Sequence, residues 1–331
     1  MYIANARKVD EQRHPAIRPR LGRVGGNVMA LGMVSLVTDV SSEMVTAVLP
    51  LYLVVGLGLS PLVFGLLDGL YIGATALARI VGGHVADRFQ RRKLVAGIGY
   101  GMSAGAKVGL LAAGGSVPIL GTVLTFDRAG KGLRTAPRDA LISLSVDAAR
   151  QGRAFGVHRA MDTFGAFLGP VAAFGLLWST GNAYDAVFVV SACVATFGVI
   201  LLVLTVRDHR DPIREASATS IRAGLRLLRD NRFRRICVAA AVLGFVTVSD
   251  GFLYLLLNDR MALESSFFPL LPLGTAGFFL LLALPVGLLA DRIDRRWVFL
   301  GGYALLLLAY VVLQTTAGAV GQLVPVLVVL A

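Results

Sequence analysis

The run SLVTDVSSEMVTAVLP, residues 35–50, places two carboxylates, Asp39 and Glu43, in an otherwise apolar stretch. A spacing of four puts them on one helical face, with Ser35, Thr38 and Ser42 nearby. Carboxylates held close repel when both are ionised, and such a pair can carry a proton by taking it up on one side and releasing it on the other. Asp39 and Glu43 are therefore candidate proton carriers. The alternative is that each is permanently paired with a basic residue. A second run, TFDRAGKGLRTAPRDAL (125–141), supplies those basic residues. At helical periodicity Arg128, Lys131, Arg134 and Arg138 fall within about 80° of one direction, and Asp127 joins them. The guanidinium fork suits carboxylate or phosphate. Arg128, Lys131 and Arg134, a cluster with excess positive charge, are thus candidate ligands for a small anionic or zwitterionic molecule. A purely structural ion-pair network is the competing reading.

Two further runs carry chemistry. Residues 158–170 stack His158, Asp162, Gly165 and Gly169 on one stripe. The glycines imply tight helix contact, and Gly169–Pro170 implies a bend. His158 is a candidate proton shuttle, although a plain hydrogen-bonding role is the expectation beside Arg159. In FVTVSDGF (245–252), Asp250 is the third candidate for proton coupling, and Thr247 and Ser249 beside it would also suit a cation held by oxygen ligands. Lys107 and Arg79 are expected to neutralise neighbours, and Asp68 has no assigned role. The chain has no H-E-x-x-H, no G-x-S-x-G and no G-x4-G-K-[ST], so neither an embedded metalloprotease, a serine hydrolase nor an ATP-driven pump is indicated. Its four histidines lie in separate segments, and Cys193 and Cys237 are far apart, so no metal site, cofactor or disulfide is expected and no enzyme activity is indicated.

The elements that must position these groups are membrane spans. The chain is 56% hydrophobic and only 16% charged, whereas soluble domains carry about 25% charged residues. Its mean hydropathy is +0.73. Apolar runs of span length recur at 27–55, 61–84, 94–114, 117–140, 153–178, 184–206, 234–257, 266–290 and 297–316, with a last one at 319–331. An all-α, polytopic integral membrane protein is the expected fold class. The first run is too long for the apolar core of a cleaved signal and carries two acids. The net charge of +12 does not indicate nucleic acid, because 24 of the 32 Lys and Arg fall in the N-terminal tail or in alternate loops. That alternation places the N-terminus in the cytoplasm. Residues 220–230, SIRAGLRLLRD, set Ile221, Leu225 and Leu228 on one stripe beside Arg222, Arg226 and Arg229. A basic amphipathic helix on the membrane surface is the reading.

The chain also repeats itself. Gly83-x3-Asp87-Arg88-x2-Arg91-Arg92 aligns on Gly287-x3-Asp291-Arg292-x2-Arg295-Arg296 at a single offset of 204 residues. Each copy closes one span and precedes the next, which implies two homologous halves. The expected organisation is a basic tail (1–25), a six-helix bundle (26–206), a linker (207–233) and a second bundle (234–331). The second bundle is shorter than the first by more than two spans, so the C-terminal half reads as truncated. The glycines allow close helix approach. Asp followed by Arg can pair across the seam between halves and re-pair as the halves rock. Gly83, Asp87, Arg88, Arg91, Arg92, Gly287, Asp291 and Arg292 are candidate gate residues, the alternative being that their charges only set topology.

This repeat resembles the loop signature of the major facilitator superfamily, G-x3-D-[RK]-x-G-x-[RK]-[RK], with Gln90 and Asp294 where the signature has Gly. RAGKG (128–132) is similar to that superfamily's R-x-x-Q-G, with Lys131 replacing Gln. GAFLGP, with Gly165, Gly169 and Pro170, is similar to its antiporter motif G-x3-G-P. The string DRAGKGLRTAPRDAL resembles a bacterial and archaeal subgroup with some members linked to efflux. The resemblance implies a two-half helical bundle working by alternating access in the plasma (inner) membrane, with Arg128 near the central cavity. The expected function is proton-coupled export of a small anionic or zwitterionic solute by a monomer, with the lipid bilayer, the solute and protons as its partners. Uptake of an organic anion or metal complex, or a non-transporting remnant, are the alternatives.

Overall fold

The computed structural model of the chain describes residues 25–89, 91–147, 150–208, 226–293 and 295–315. Every regular element among them is helical. Helix α1 (Gly26–Leu51) passes into a π turn at Tyr52–Gly56. It is followed by α2 (Pro61–Phe89), α3 (Arg92–Ala113), α4 (Val117–Leu144), α5 (Gln151–Thr180) and α6 (Tyr184–Thr205). Prolines open α2 and α4, where a missing N–H costs nothing. Gly181, at φ 66°, ends α5 in the left-handed conformation that glycine adopts without strain. Beyond the linker come α7 (Asn231–Val246), α8 (Asp250–Met261), α9 (Leu270–Arg292) and α10 (Arg295–Thr315).

Among the described residues, seven helical stretches are long and apolar enough to cross a membrane: α1 with its π turn, α2, α3, α5, α6, α7 with α8, and the start of α9. Helix α4 is missing from that set because of its charges, yet at 28 residues it has the length. It needs no lipid-compatible surface on all sides, since α2 and α3 flank it closely. Helix α1 packs between α5 and α6, and α3 on α6 completes the six-helix arrangement; α9 rests on α5 and α8 on α1. The multi-pass helical membrane fold expected from composition is the fold observed.

Two boundaries differ from the sequence expectation. The repeated charged motif lies less in loops than in helix ends, because α2 runs on to Phe89 and α9 to Arg292. In both copies the next helix begins within three residues, at Arg92 and Arg295, so each copy carries a short helix break, placed one residue earlier in the second motif than in the first. The second difference is a break inside the run 234–257, at Thr247–Ser249. Ser249 caps α8 by accepting from the Gly251 N–H, and Asp250 follows in the first turn, where an acid is favoured. Gly251 packs on Phe64, whose Cζ would sit 2.9 Å from an added Cβ. The last apolar run (319–331), the N-terminal tail and most of the linker, with Ile221, Arg222 and Leu225, lie outside the described residues.

Helix α4 makes close contacts on two sides. A Cβ on Gly130 would meet Gly99 O of α3 at 2.6 Å, and one on Gly132 would meet Ala78 Cβ and Thr75 O of α2 at 2.6 and 2.7 Å. The two glycines of RAGKG thus let α4 touch both neighbours at backbone distance. Gly132→Val is expected to destabilise the bundle by about 1–3 kcal/mol, lowering Tm by roughly 3–8 °C. Gly101→Ala, where an added Cβ meets nothing within 4 Å, is expected to leave Tm unchanged. Thermal unfolding of the detergent-purified full chain measures both.

Candidate functional site: a charge ladder between α1 and α4

Arg128, Lys131, Arg134 and Arg138 rise along α4 in steps of three or four, a stripe of about 15 Å. Helix α1 answers with Thr46, Glu43, Asp39 and Ser35, likewise in steps of three or four but in the opposite chain direction. The rungs form in that order. Arg128 Nη2 donates to Thr46 Oγ1 at 3.1 Å. Lys131 Nζ donates to Glu43 Oε1 at 3.1 Å, Arg134 Nη2 to Asp39 Oδ1 at 3.3 Å, and Arg138 Nη1 to Ser35 Oγ at 3.2 Å.

Groups from α2, α3 and α5 complete each rung. Arg128 lies over the Tyr71 ring at 3.5 Å and Arg134 over the Tyr100 ring at 4.4 Å, a cation–π arrangement. The Tyr71 hydroxyl is 2.9 Å from Thr46 Oγ1. Lys107 of α3 donates to Asp127 Oδ1 at 3.1 Å and to the Ser103 carbonyl at 3.1 Å. Asp127 Oδ2 is 3.4 Å from Arg128 Nε but not aligned as a hydrogen bond, and that Nε has no hydrogen-bond partner among the described residues. Arg138 is held by Asp139 at 3.0 Å and by Asp162 of α5 at 3.6 Å. Ser35 Oγ donates to Asp162 Oδ1 at 2.6 Å, and Arg159 reaches Asp162 Oδ2 at 3.4 Å.

The sequence suggested excess positive charge here. The structure shows instead that Lys131, Arg134 and Arg138 each have their own carboxylate, because Asp162 and Asp139 join the acids of α1. Among the described residues of the ladder, Arg128 is the cation that shares one, dividing Asp127 with Lys107. Exposure also differs between rungs. The side chains of Arg134 and Asp39 are 3% and 10% exposed, whereas those of Lys131 and Glu43 are 26% and 24% exposed. The reason lies beside them. A cavity of about 370 Å³ between α2 and α4 is lined by Tyr71, Thr75, Arg79, Arg128 and Lys131, with Ile72 and Ala76, and by no carboxylate. Arg134 lies deeper and does not reach it. A small anionic group fits this lining.

The remaining candidates separate from the ladder. Asp250 is exposed at the start of α8, beside a different cavity of about 340 Å³ that it shares with Gly302 and Tyr303 of α10. Gly165 and Gly169 serve the ladder from behind: an added Cβ at Gly165 would strike the Leu36 carbonyl, and one at Gly169 would lie 2.7 Å from Glu43 Cβ. Helix α5 continues unbroken through the buried Pro170. His158 is buried, and its Nε2 has no partner among the described residues. Gly83 packs on Ala136 of α4, 3.5 Å from an added Cβ. Arg91 lines a groove between α3 and α6. The side chains of Asp87, Arg88, Asp291 and Arg292, and the surroundings of Gly287, lie outside the described residues. Sequence reasoning missed Thr46 and Tyr71. The signal was present in the spacing of Ser35, Asp39, Glu43 and Thr46, which keeps one helical face as that of the basic residues does.

An antiparallel ladder of ion pairs within a multi-pass helical bundle defines a membrane protein that handles charge inside its own interior. The sequence matches the profile of the Major Facilitator Superfamily over residues 31–331, and the chain belongs to that family. It is 28% identical over 306 residues to an uncharacterized MFS-type transporter of Methanocaldococcus jannaschii, covering 90% of this chain and 74% of that protein. An uncharacterized protein of Mycobacterium tuberculosis is 34% identical over 157 residues, 47% of this chain and 38% of the relative. Among solved structures, an inward-facing, occupied bacterial homologue of the human lysosomal transporter Spinster superposes with TM-score 0.66 at 19% identity, covering 92% of this chain and 71% of the other. A peptide transporter POT in complex with sulfate gives TM-score 0.65 at 17% identity, with 92% and 79% covered. These likenesses establish the fold, and the family is one of transporters rather than of enzymes.

Removing one partner of a buried pair costs about 3–5 kcal/mol, whereas replacing both by apolar groups is often close to neutral. Arg134→Met and Asp39→Leu are each expected to lower the yield of monodisperse protein severely. The double variant is expected to recover most of it, as read by fluorescence-detected size exclusion and thermal unfolding.

Proposed function

We propose that this chain is a secondary active transporter moving a small anionic or zwitterionic solute by alternating access, with coupling to protons at the carboxylates of α1. The observation that carries the reading is the Glu43–Lys131 rung, half-open beside a cavity that also presents Arg128 and Arg79. Protonating Glu43 removes the charge that holds Lys131, and the ammonium is then available to a solute anion. Deprotonation re-forms the pair and displaces that anion. Asp39 and Arg134, one turn deeper, repeat the arrangement without solvent access. Arg128 supplies a fork for carboxylate or phosphate, kept flat by the Tyr71 ring. Arg134 supports the site from below, and Asp250 supplies a carboxylate of the second bundle.

Residues 26–206 and 234–331 form the two bundles of this proposal, joined by the linker 207–233, with the basic tail 1–25 on the cytoplasmic face of the plasma membrane. The gate is formed by the two copies of the charged motif, Gly83 to Arg92 and Gly287 to Arg292, and the moving unit is a monomer. In this proposal solute charge sets the direction. A zwitterion whose ammonium takes the place of the proton on Glu43 gives exchange, and with an inward proton gradient that is export. A solute with no positive group binds together with the proton, which gives uptake; the one-to-one pairing of Glu43 with Lys131 is what favours this second reading where the solute is purely anionic.

The test is flux in proteoliposomes carrying an internal pH dye, with zwitterionic amino acids and dicarboxylates as probes. Exchange acidifies the lumen as substrate leaves it, whereas co-transport alkalinises it. Glu43→Gln is expected to abolish dependence on the pH gradient while leaving counterflow, and Arg128→Ala to abolish both. Full gradient-driven flux in Glu43→Gln or Asp39→Asn contradicts the coupling assignment.

A further inference from the structure

On the opposite face of the six-helix bundle, where α3 packs on α6, a groove of about 500 Å³ opens to the outside. Its polar end holds Arg91 and Lys93 at the start of α3 and Asp208 just past the end of α6. Its walls are Leu94, Ile98, Val199 and Val203, and Gly97 leaves room between them: an added Cβ there would already touch Leu202 Cδ2 at 3.4 Å. Leu94, Ile98 and Val203 are 52%, 50% and 58% exposed. Among the described residues α3 and α6 pack chiefly on each other, on α4 and on α1, with lesser contacts to α2 and α5, which leaves this outer face open to lipid. Lys93 is fixed in place, its Nζ donating to the Val203 carbonyl at 2.8 Å and its backbone N–H facing Asp208 Oδ1 at 3.4 Å. An ammonium has three donors, so two remain without a partner among the described residues. Arg92, between the two lining cations, has buried Nε and Nη1 atoms with no hydrogen-bond partner among the described residues. Among the described lining residues, the two cations Arg91 and Lys93 thus stand against the one carboxylate of Asp208 at the mouth of an apolar slot.

We propose that this groove is a binding site for an anionic glycerophospholipid, with the phosphate on Arg91 and Lys93 and one acyl chain lying between α3 and α6. Basic pockets between membrane helices near the cytoplasmic surface select anionic headgroups, and the slot below selects a chain-bearing ligand over a free anion. The site is separate from the α1–α4 ladder and independent of what the ladder transports.

The experiment is native mass spectrometry of the full chain, stripped of lipid in detergent and titrated with palmitoyl-oleoyl phosphatidylglycerol, the matching phosphatidylcholine, or inorganic phosphate. Wild type is expected to retain phosphatidylglycerol in preference to phosphatidylcholine, and inorganic phosphate to leave the bound lipid in place. The Arg91→Gln, Lys93→Gln double variant is expected to weaken retention about tenfold or more. Gly97→Leu, which fills the slot and keeps every charge, is expected to weaken it comparably. Asp208→Asn is expected to strengthen it, a gain that misfolding cannot imitate. Equal retention of the two lipids overturns the proposal, as does unchanged retention in the double variant or in Gly97→Leu. Displacement of the lipid by inorganic phosphate would reveal a free-anion site instead.

Discussion

A charged side chain at the centre of a bilayer costs at least ~2.5–3.5 kcal/mol, and α4 carries Arg128, Lys131, Arg134 and Arg138 along one stripe. Neutralising that stripe is the constraint on which the rest of the bundle depends. The partners come from α1 in reverse register, so the two helices must run antiparallel and at one height relative to each other. A shift by one residue would turn Asp39 and Glu43 by 100° and empty every rung. The ladder therefore works as a register key as well as a reservoir of charge. Asp127 and Asp162 then settle its two ends, through Lys107 at one and Ser35 with Arg138 at the other.

The same constraint explains the glycines. Arg and Lys are long, and α1 and α4 stand apart with the ionic layer between them. Helix α4 must consequently find its close packing elsewhere, and it does so sideways, with Gly130 on Gly99 and Gly132 on Thr75 and Ala78. On the other side of the ionic layer α1 is held by Gly165 and Gly169 of α5 at backbone distance. Close glycine contacts thus surround the polar seam on both sides. Interiors packed in this way tend to have discrete arrangements rather than continuous ones.

Much of this was legible in the residues themselves. Length, hydropathy and the alternation of Lys and Arg between loops determined a polytopic helical bundle, since each signal answers directly to the bilayer. The offset between the two charged motifs anticipated a short helix break in each copy. Asp39, Glu43 and the basic stripe stood out because charge within an apolar run demands a partner. The pairing itself was half-visible, for periodicity gives the face of a helix but not its height against a neighbour. That missing coordinate is why Thr46 and Tyr71 escaped notice, and why the cluster read as positive when Asp162 and Asp139 balance it. The break before Asp250 escaped for a different reason. Val246, Thr247 and Val248 read as an apolar continuation, whereas the Ser249 cap starts a new helix at Asp250. Arg91 belonged by sequence to a motif at the seam between halves, yet its side chain turns to the lipid-facing groove.

The chain contains four lysines and four glutamates, which makes the ladder directly observable. Full-length protein labelled with 15N at lysine Nζ and 13C at glutamate Cδ, reconstituted in lipid bilayers, can be measured by rotational-echo double-resonance NMR. Among the described residues, Lys131 and Glu43 form the contact that brings these labels together, with Nζ 3.1 Å from Oε1. The account predicts strong dephasing of one lysine signal, lost when Lys131 is replaced by Met and retained when Lys107 is replaced by Met. Absence of dephasing in the wild-type protein, or its persistence without Lys131, would contradict the ladder as the interaction that sets α1 against α4.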